Sequence, residues 1–322
     1  MKECTIVKSL FTRYEGNPIL TPEQWPYPAN SVFNPGAAEF DGETLLLVRV
    51  EDLRGFSHVT AARSEDGRTN WRIDPEPTLA PDPAHDEEEW GIEDPRICYV
   101  EELGEYAITY VCYSRGGALV SLATTPDFKT FEKYPAVLPP EDKDSCLFPR
   151  RFAGHFAMIH RPVIRLDANI WISFSPDLRH WGSHQMLIRA RRGWWDSRRV
   201  GLATQPIETS AGWLIIYHGV RQTVAGDTYR VGLALLDLED PVKVIRRSDE
   251  WVFGPQEPYE RIGNVADVVF PTGAVVDREA DELHIYYGAA DSTVGLATAK
   301  LGEVVDYLES CSSGDSHAPP ED

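Results

Sequence analysis

Trp90-Gly91-Ile92-Glu93-Asp94-Pro95-Arg96 places two adjacent carboxylates between a glycine and a proline, just before an apolar run that opens at Ile97. Proline locks its own φ, lacks an N–H and biases the residue before it away from the helical region. The segment therefore reads as a strand entrance with Asp94 held extended. Neighbouring side chains of a strand point to opposite faces. That alternation predicts that Glu93 and Asp94 do not share a pocket and that Arg96 lies on the Asp94 side. In isolation the segment is a surface turn with an Arg–Asp pair. Repetition gives it another meaning.

Five times a loop ending in proline leads into a strand, at Asn34-Pro35, Asp94-Pro95, Phe148-Pro149, Gln205-Pro206 and Phe270-Pro271. The intervals, roughly 54 to 65 residues, suit long propeller blades. Each proline is followed by an aromatic or aliphatic second strand: Leu45 to Val50, Tyr106 to Tyr113, Phe156 to His160, Trp213 to His218 and Leu283 to Tyr287. Third strands of small and β-branched residues follow, from Val59, Leu119, Ile170, Val231 and Val294. Three units then close with a shared turn and aromatic: Ser64-Glu65-Asp66-Gly67 with Trp71, Thr125-Pro126-Asp127 with Phe131, and Ser175-Pro176-Asp177 with Trp181. The fourth varies this turn as Leu238-Glu239-Asp240-Pro241, and the fifth has no clear fourth strand. A strand from the N-terminal segment is one way to close the ring. Helical periodicity is almost absent. The fold expected is all-β, a five-bladed β-propeller within residues 1–308 that spans about Leu10 to Tyr307. A disordered tail rich in Ser, Pro and acidic residues is expected from Glu309 to Asp322.

Composition narrows the partners. The 322 residues carry a net charge of −20, which argues against nucleic acid or an anionic membrane surface. No stretch approaches the roughly 20 apolar residues of a membrane span. Met1 to Arg13 lacks the apolar core of a signal peptide, and a cytoplasmic location is expected. Cys4, Cys98, Cys112, Cys146 and Cys311 are scattered and odd in number, as for reduced thiols without a zinc site. Cys98 and Cys112 fall in apolar strands and read as core. The oligomeric state is left open, a homo-oligomer included.

In a propeller, one mouth of the central channel gathers side chains from every blade. Equivalent prolines would bring together Asn34, Asp94, Lys143 with Asp144, and Arg198-Arg199; strand exits would add Arg49, Asp52, His160, Arg161, His218 and Asp291. Asp94 is a candidate proton donor in a carbohydrate-sized pocket. Lys143, Arg161, Arg199 and His218 form a positive cluster, and the planar donors of Arg suit phosphate oxygens. Two carboxylates around a sugar signal a hydrolase that activates water. One carboxylate opposite a basic cluster signals an anion as the nucleophile. Each residue also has a plainer reading. Asp52 can pair with Arg49 or Arg54, Arg161 can order a loop, and His218 can be a core histidine. Trp194 and Trp195 suit sugar stacking or packing between blades, and Arg189 to Arg192 reads as an exposed basic loop.

Asn34-Pro35-Gly36-Ala37, Arg49-Val50-Glu51-Asp52, Gly91 to Arg96, Lys143-Asp144 with Leu147-Phe148-Pro149, His160-Arg161-Pro162, Trp195-Asp196-Ser197, Tyr217-His218-Gly219 and Tyr287 to Asp291 resemble, in order, glycoside hydrolase family 130. That family comprises β-mannoside phosphorylases and some β-mannosidases. The resemblance implies the five-bladed propeller and inverting phosphorolysis of a β-mannoside, with release of α-mannose 1-phosphate. It implies Asp94 as the acid, acting through the 3-hydroxyl of the non-reducing mannosyl unit. It implies phosphate held by Lys143, Arg161, Arg199 and His218, with Arg150 or Arg151 as alternatives to Lys143. The mannosyl unit would meet Asn34, Arg49, Asp52 and Asp291. No cofactor or metal is implied, inorganic phosphate being a co-substrate. Arg199 departs from the lysine usual in the family's phosphorylases. A β-mannosidase of the same fold and a non-catalytic carbohydrate-binding propeller are the alternatives.

Overall fold

The computed structural model describes residues 10–164, 167–224 and 226–313. Cys4 and the tail from residue 314 lie outside them. Five antiparallel blades surround a channel, each running from an innermost to an outermost strand. Blade one is Ser31–Phe40, Glu43–Glu51, Ser57–Ser64 and Arg72–Ile73; blade two is Ile92–Val100, Glu105–Ser114, Gly117–Thr125 and Glu132–Leu138. Blade three is Asp142–Leu147, Phe156–Ile164, Ile170–Ser175 and Gly182–Ile188; blade four is Arg199–Leu202, Gly212–Thr223, Gly226–Leu236 and Val244–Arg247. A short strand, Asp167–Ala168, joins blades three and four into one hydrogen-bonded sheet. Blade five takes Val269–Asp277, Glu282–Ala289 and Thr293–Lys300 from the C-terminal end. Thr12–Arg13 supplies its fourth strand, pairing with Thr298 and Ala297. The ring is closed by the N-terminal segment.

The second strands are apolar on both faces because each is covered by the blades beside it. Leu45, Leu47, Ile97, Ile108 and Tyr110 fill the space between blades one and two, and Phe148, Phe152, Met158, Trp213 and Ile215 that between three and four. The recurrent turns work through one carboxylate each. Asp66, Asp127 and Asp177 accept the backbone N–H groups two and three residues ahead, and Asp237 does so in blade four. Such turns satisfy donors that the ladder leaves open. Cys98, Cys112 and Cys146 are buried free thiols.

The prolines are not the shared marker. The innermost strands of blades one, two and three each carry one extra residue, between Phe33 and Gly36, Glu93 and Arg96, and Lys143 and Cys146. At these bulges Asn34, Asp94 and Asp144 adopt left-handed φ of 46°, 50° and 50°, a region that Asn and Asp tolerate better than most residues. Asp94 is therefore not extended. Pro149 lies beyond the end of its innermost strand, and Pro206 lies between two short strands of blade four.

The C-terminal end also differs from expectation. Leu301–Ser310 is a helix that buries Leu301, Val304 and Leu308 against blades four and five, and Ser313 bridges to Arg246. Glu309 and Ser310 belong to this helix and not to a tail.

Candidate active site

The bulge at Asp94 breaks strand alternation, and two carboxylates meet as a result. Arg49 Nη1 donates to Asp94 Oδ1 and Arg49 Nη2 to Glu93 Oε1, both at 2.9 Å. Glu93 and Asp94 thus share one guanidinium, contrary to the alternation argument. Asn34 Nδ2 donates to the same Asp94 oxygen at 2.9 Å. Arg49 is held from behind by Ser57 Oγ at 3.0 Å and lies over the Phe33 ring. Asp94 is 9% exposed. Burial pushes its carboxyl up, but Arg49, the Asn34 amide and Arg96 outweigh this and hold it below the usual range. Asp291, also at left-handed φ, lies within electrostatic reach of Arg49 and Asp94. Burial and the Asp94 charge push its carboxyl up to about 6. The Asn34 carbonyl oxygen is buried without a hydrogen-bond partner.

A second cluster gathers around Asp144, itself 1% exposed. Arg161 Nε donates to its carboxylate, His218 Nε2 lies 3.4 Å away, and Arg96 Nη2 lies 3.5 Å away. Burial is again outweighed, here by Arg161 and Arg96, and the Asp144 carboxyl stays far below the usual range. His218 is 1% exposed and sits against Phe270, ring centroids 4.6 Å apart. Burial, reinforced by Arg161, Arg96 and Arg199, pushes its pKa down to about 3 despite Asp144. His218 is therefore a neutral ring and not one of the cations. A Cβ at Gly201 would lie 2.2 Å from Asp144 Oδ2 and 2.5 Å from His218 Cε1, so only glycine lets blade four approach this closely.

Arg199 enters from blade four, near the Tyr229 ring, with Nη2 bonded to Asp227 on the facing strand. Arg198 pairs with the same carboxylate. Arg199 Nε and His218 Nδ1 are buried without hydrogen-bond partners. Lys143 pairs in register with Arg161 at the blade-three bulge. Its alternatives lie elsewhere: Arg150 bonds Leu238 O and Glu239, and Arg151 bonds Glu102, Gly154 O and Pro176 O.

Arg96 joins the two clusters. Its guanidinium donates to the Asp94 carbonyl at 3.2 Å, to Leu202 O at 2.8 Å and to Ala203 O at 2.6 Å, beside Asp144. Arg96 and Asp227 did not stand out in the sequence. Arg96 was placed correctly beside Asp94, but its reach to blade four is a tertiary fact. Asp227 could have been found from the register of the long hairpin Gly212 to Leu236, which brings residue 227 within a guanidinium's length of residues 198 and 199.

Asp52 and Trp195 settle on the plainer of the readings open to them, and one expectation, that for Arg189 to Arg192, does not hold. Both oxygens of Asp52 are committed to its own loop, to Arg54 and the Phe56 N–H, and none of these bonds involves Arg49. Arg191 is buried in a bidentate pair with Asp196, so Arg189 to Arg192 is not uniformly an exposed loop. Trp195 stacks on Tyr217 and donates to Asp249 O, which is packing between strands rather than an open platform.

Known proteins resemble this chain over nearly its whole length. Residues 7–310 match the profile of glycoside hydrolase family 130, described as beta-1,4-mannooligosaccharide phosphorylase. The chain is 34% identical to a beta-1,2-mannobiose phosphorylase of Listeria innocua, over 92% of this chain and 98% of that one. It is 35% identical to a beta-1,4-mannooligosaccharide phosphorylase of Ruminococcus albus, over 95% and 93%. A solved structure of the Listeria innocua beta-1,2-mannobiose phosphorylase with beta-1,2-mannobiose superposes with a TM-score of 0.85, covering 93% of this chain and 99% of that one at 33% identity. The chain belongs to glycoside hydrolase family 130.

Proposed function

We propose that this chain is an inverting β-mannoside phosphorylase in which Asp94 serves the sugar and the Asp144 cluster serves the phosphate. The observation that supports the division is that three of the seven buried side-chain atoms without partners among the described residues lie in these two clusters. Asn34 Oδ1 stands on the sugar side, and Arg199 Nε with His218 Nδ1 on the anion side. Buried polar groups are normally satisfied, so these are where ligand contacts are expected. The phosphate would meet Lys143, Arg161, Arg199 and His218, and the mannosyl unit Asn34, Arg49 and Asp291. Asp52 keeps only a supporting place, as the organiser of the loop after the Arg49 strand.

Phosphate attacks the anomeric carbon, the glycosidic C–O bond breaks, and the leaving oxygen takes a proton relayed from Asp94 through the 3-hydroxyl. Asp94 is held ionised at neutral pH, so a proton must reach it during the cycle. It must be protonated before the glycosidic bond breaks; over the whole reaction hydrogen phosphate loses one proton and the shortened acceptor gains one, so the balance closes without water. The products are α-mannose 1-phosphate and the shortened acceptor. Electrostatic stabilisation comes from the fixed guanidinium groups.

The test is a set of β-1,2- and β-1,4-linked mannosides, with mannosyl-glucose, assayed with and without phosphate. Cleavage should require phosphate and release mannose 1-phosphate. Equal release of free mannose in phosphate-free buffer would make the protein a hydrolase.

A further inference from the structure

Blade three carries a continuous hydrogen-bonded chain across all four strands. His184 Nδ1 meets Ser173 Oγ at 2.6 Å, Ser173 Oγ meets His160 Nε2 at 2.6 Å, and His160 Nδ1 meets Asp142 Oδ2 at 2.7 Å. The other Asp142 oxygen accepts the backbone N–H groups of Lys143 at 2.9 Å and Arg161 at 3.1 Å. One order of donors satisfies every link. His184 donates to Ser173, Ser173 donates to His160, and His160 donates to Asp142. Bonds aligned in this way polarise one another.

The chain is a departure from the fold's own repeat. The registers make Asp142, His160 and Ser173 equivalent to Val32, Val48 and Ala62 in blade one, and to Ile92, Tyr110 and Ala123 in blade two. Where its neighbours bury mainly hydrocarbon, blade three buries a carboxylate, an imidazole and a hydroxyl, with Ser173 at 0% exposure. Such burial is costly unless every group is paired. A serine–histidine–aspartate set invites a nucleophile reading, but Ser173 is fully enclosed between two histidines. The chain runs from His184, exposed on the outermost strand, inward to backbone amides of the innermost and second strands.

We propose that Asp142 and His160 are positioning residues for phosphate. They fix the backbone at Lys143 and Arg161, beside the irregular register of the bulge, so that the Arg161 guanidinium is presented to the anion with Asp144. This inference rests on the phosphorylase reading above. The residues act through Arg161 and touch neither substrate.

The test measures initial rates with phosphate and a cleavable β-mannoside varied separately, for wild type, His160→Leu, His160→Asn and Ser173→Ala. Loss of a bond to a charged group is worth roughly tenfold or more. His160→Leu should raise the KM for phosphate by about that factor and leave the KM for the mannoside within about twofold. His160→Asn, which can keep a donor toward Asp142, should recover most of the loss, and Ser173→Ala should show a smaller rise of the same kind. Parallel rises in both KM values, or a fall in kcat with an unchanged phosphate KM, would overturn the proposal. If His160→Leu does not fold, an unchanged phosphate KM in Ser173→Ala overturns it equally. A wild-type enzyme indifferent to phosphate defeats both readings, and is recognised before any variant is made.

Discussion

Arg49 in blade one and Arg161 in blade three occupy the same register position, each the last partner before a bulge. Their surroundings are opposite. Arg49 is one guanidinium shared by Glu93 and Asp94, with Asp291 in reach. Arg161 is one of several donors around the single carboxylate of Asp144, with Arg96 and His218 beside it. Burial is similar in both places, so it does not separate them. The local sign of charge does. Around Arg49, burial pushes the Asp291 carboxyl up to about 6, and the neighbouring Asp94 charge adds to this. Around Arg161, burial pushes the His218 ring down to about 3, and the guanidinium groups of Arg161, Arg96 and Arg199 reinforce this. A chain of net charge −20 thus keeps its positive field in one half of the channel.

The most severe way to break the comparison is Asp94→Asn. The variant should fold normally and lose about 100- to 10,000-fold in turnover, the usual worth of a positioned acid. Activity within a few-fold of the parent would move the acid to Glu93, which shares Arg49. The next largest effect is expected from Arg161→Gln, which should raise the KM for phosphate at least about tenfold while the mannoside KM changes little. Equal changes in both would mean that the two halves are not functionally separate. Arg199→Lys, which keeps the charge, should be the mildest of the anion-side changes.

Asp291→Asn tests the sugar-side field through stability. A folded pKa of about 6 against an ordinary 3.8 means that the carboxyl favours folding below pH 3.8 and that this is lost as the pH rises through 6. At pH 7 the buried charge destabilises the fold, and the amide removes it. Melting temperature should therefore rise in the variant at pH 7, with the difference disappearing below about pH 4. A difference independent of pH would remove the electrostatic explanation.

The blade count was legible because second and third strands alternate small, β-branched and aromatic residues at a steady spacing, and burial between blades demands that pattern. The bulges were not. Proline marks them at Pro35 and Pro95, but Ser145 takes that place in blade three, so a proline count slips by several residues there. The convergence of Asn34, Arg49 and Asp94, and of Arg161, Arg199 and His218, survived this slip because strand exits still fall at one mouth. What failed was anything that depends on side-chain partners. His218 lost its charge to burial, and Arg96 crossed to blade four. The C-terminal helix escaped notice because only Leu301, Val304 and Leu308 mark its buried face, too few for a periodic signal.

Closure of blade five by Thr12–Arg13 has a consequence for the order of folding. Arg13 binds Glu260 at 2.7 and 2.8 Å and Gly254 O at 2.6 Å, contacts spanning 241 to 247 residues of chain. Contacts of such separation require the largest loop to close and are slow to form. The Thr12–Arg13 strand must therefore wait for residues some 240 to 290 positions further along the chain. Until it docks, blade five, which carries Asp291, lacks its fourth strand, while the Asn34–Arg49–Asp94 and Asp144 clusters, built within blades one to four, can already assemble. On refolding, burial of Trp213 should accordingly precede recovery of activity, and removal of residues 1–14 should loosen blade five, with Asp291, before the Arg49 or Arg161 clusters.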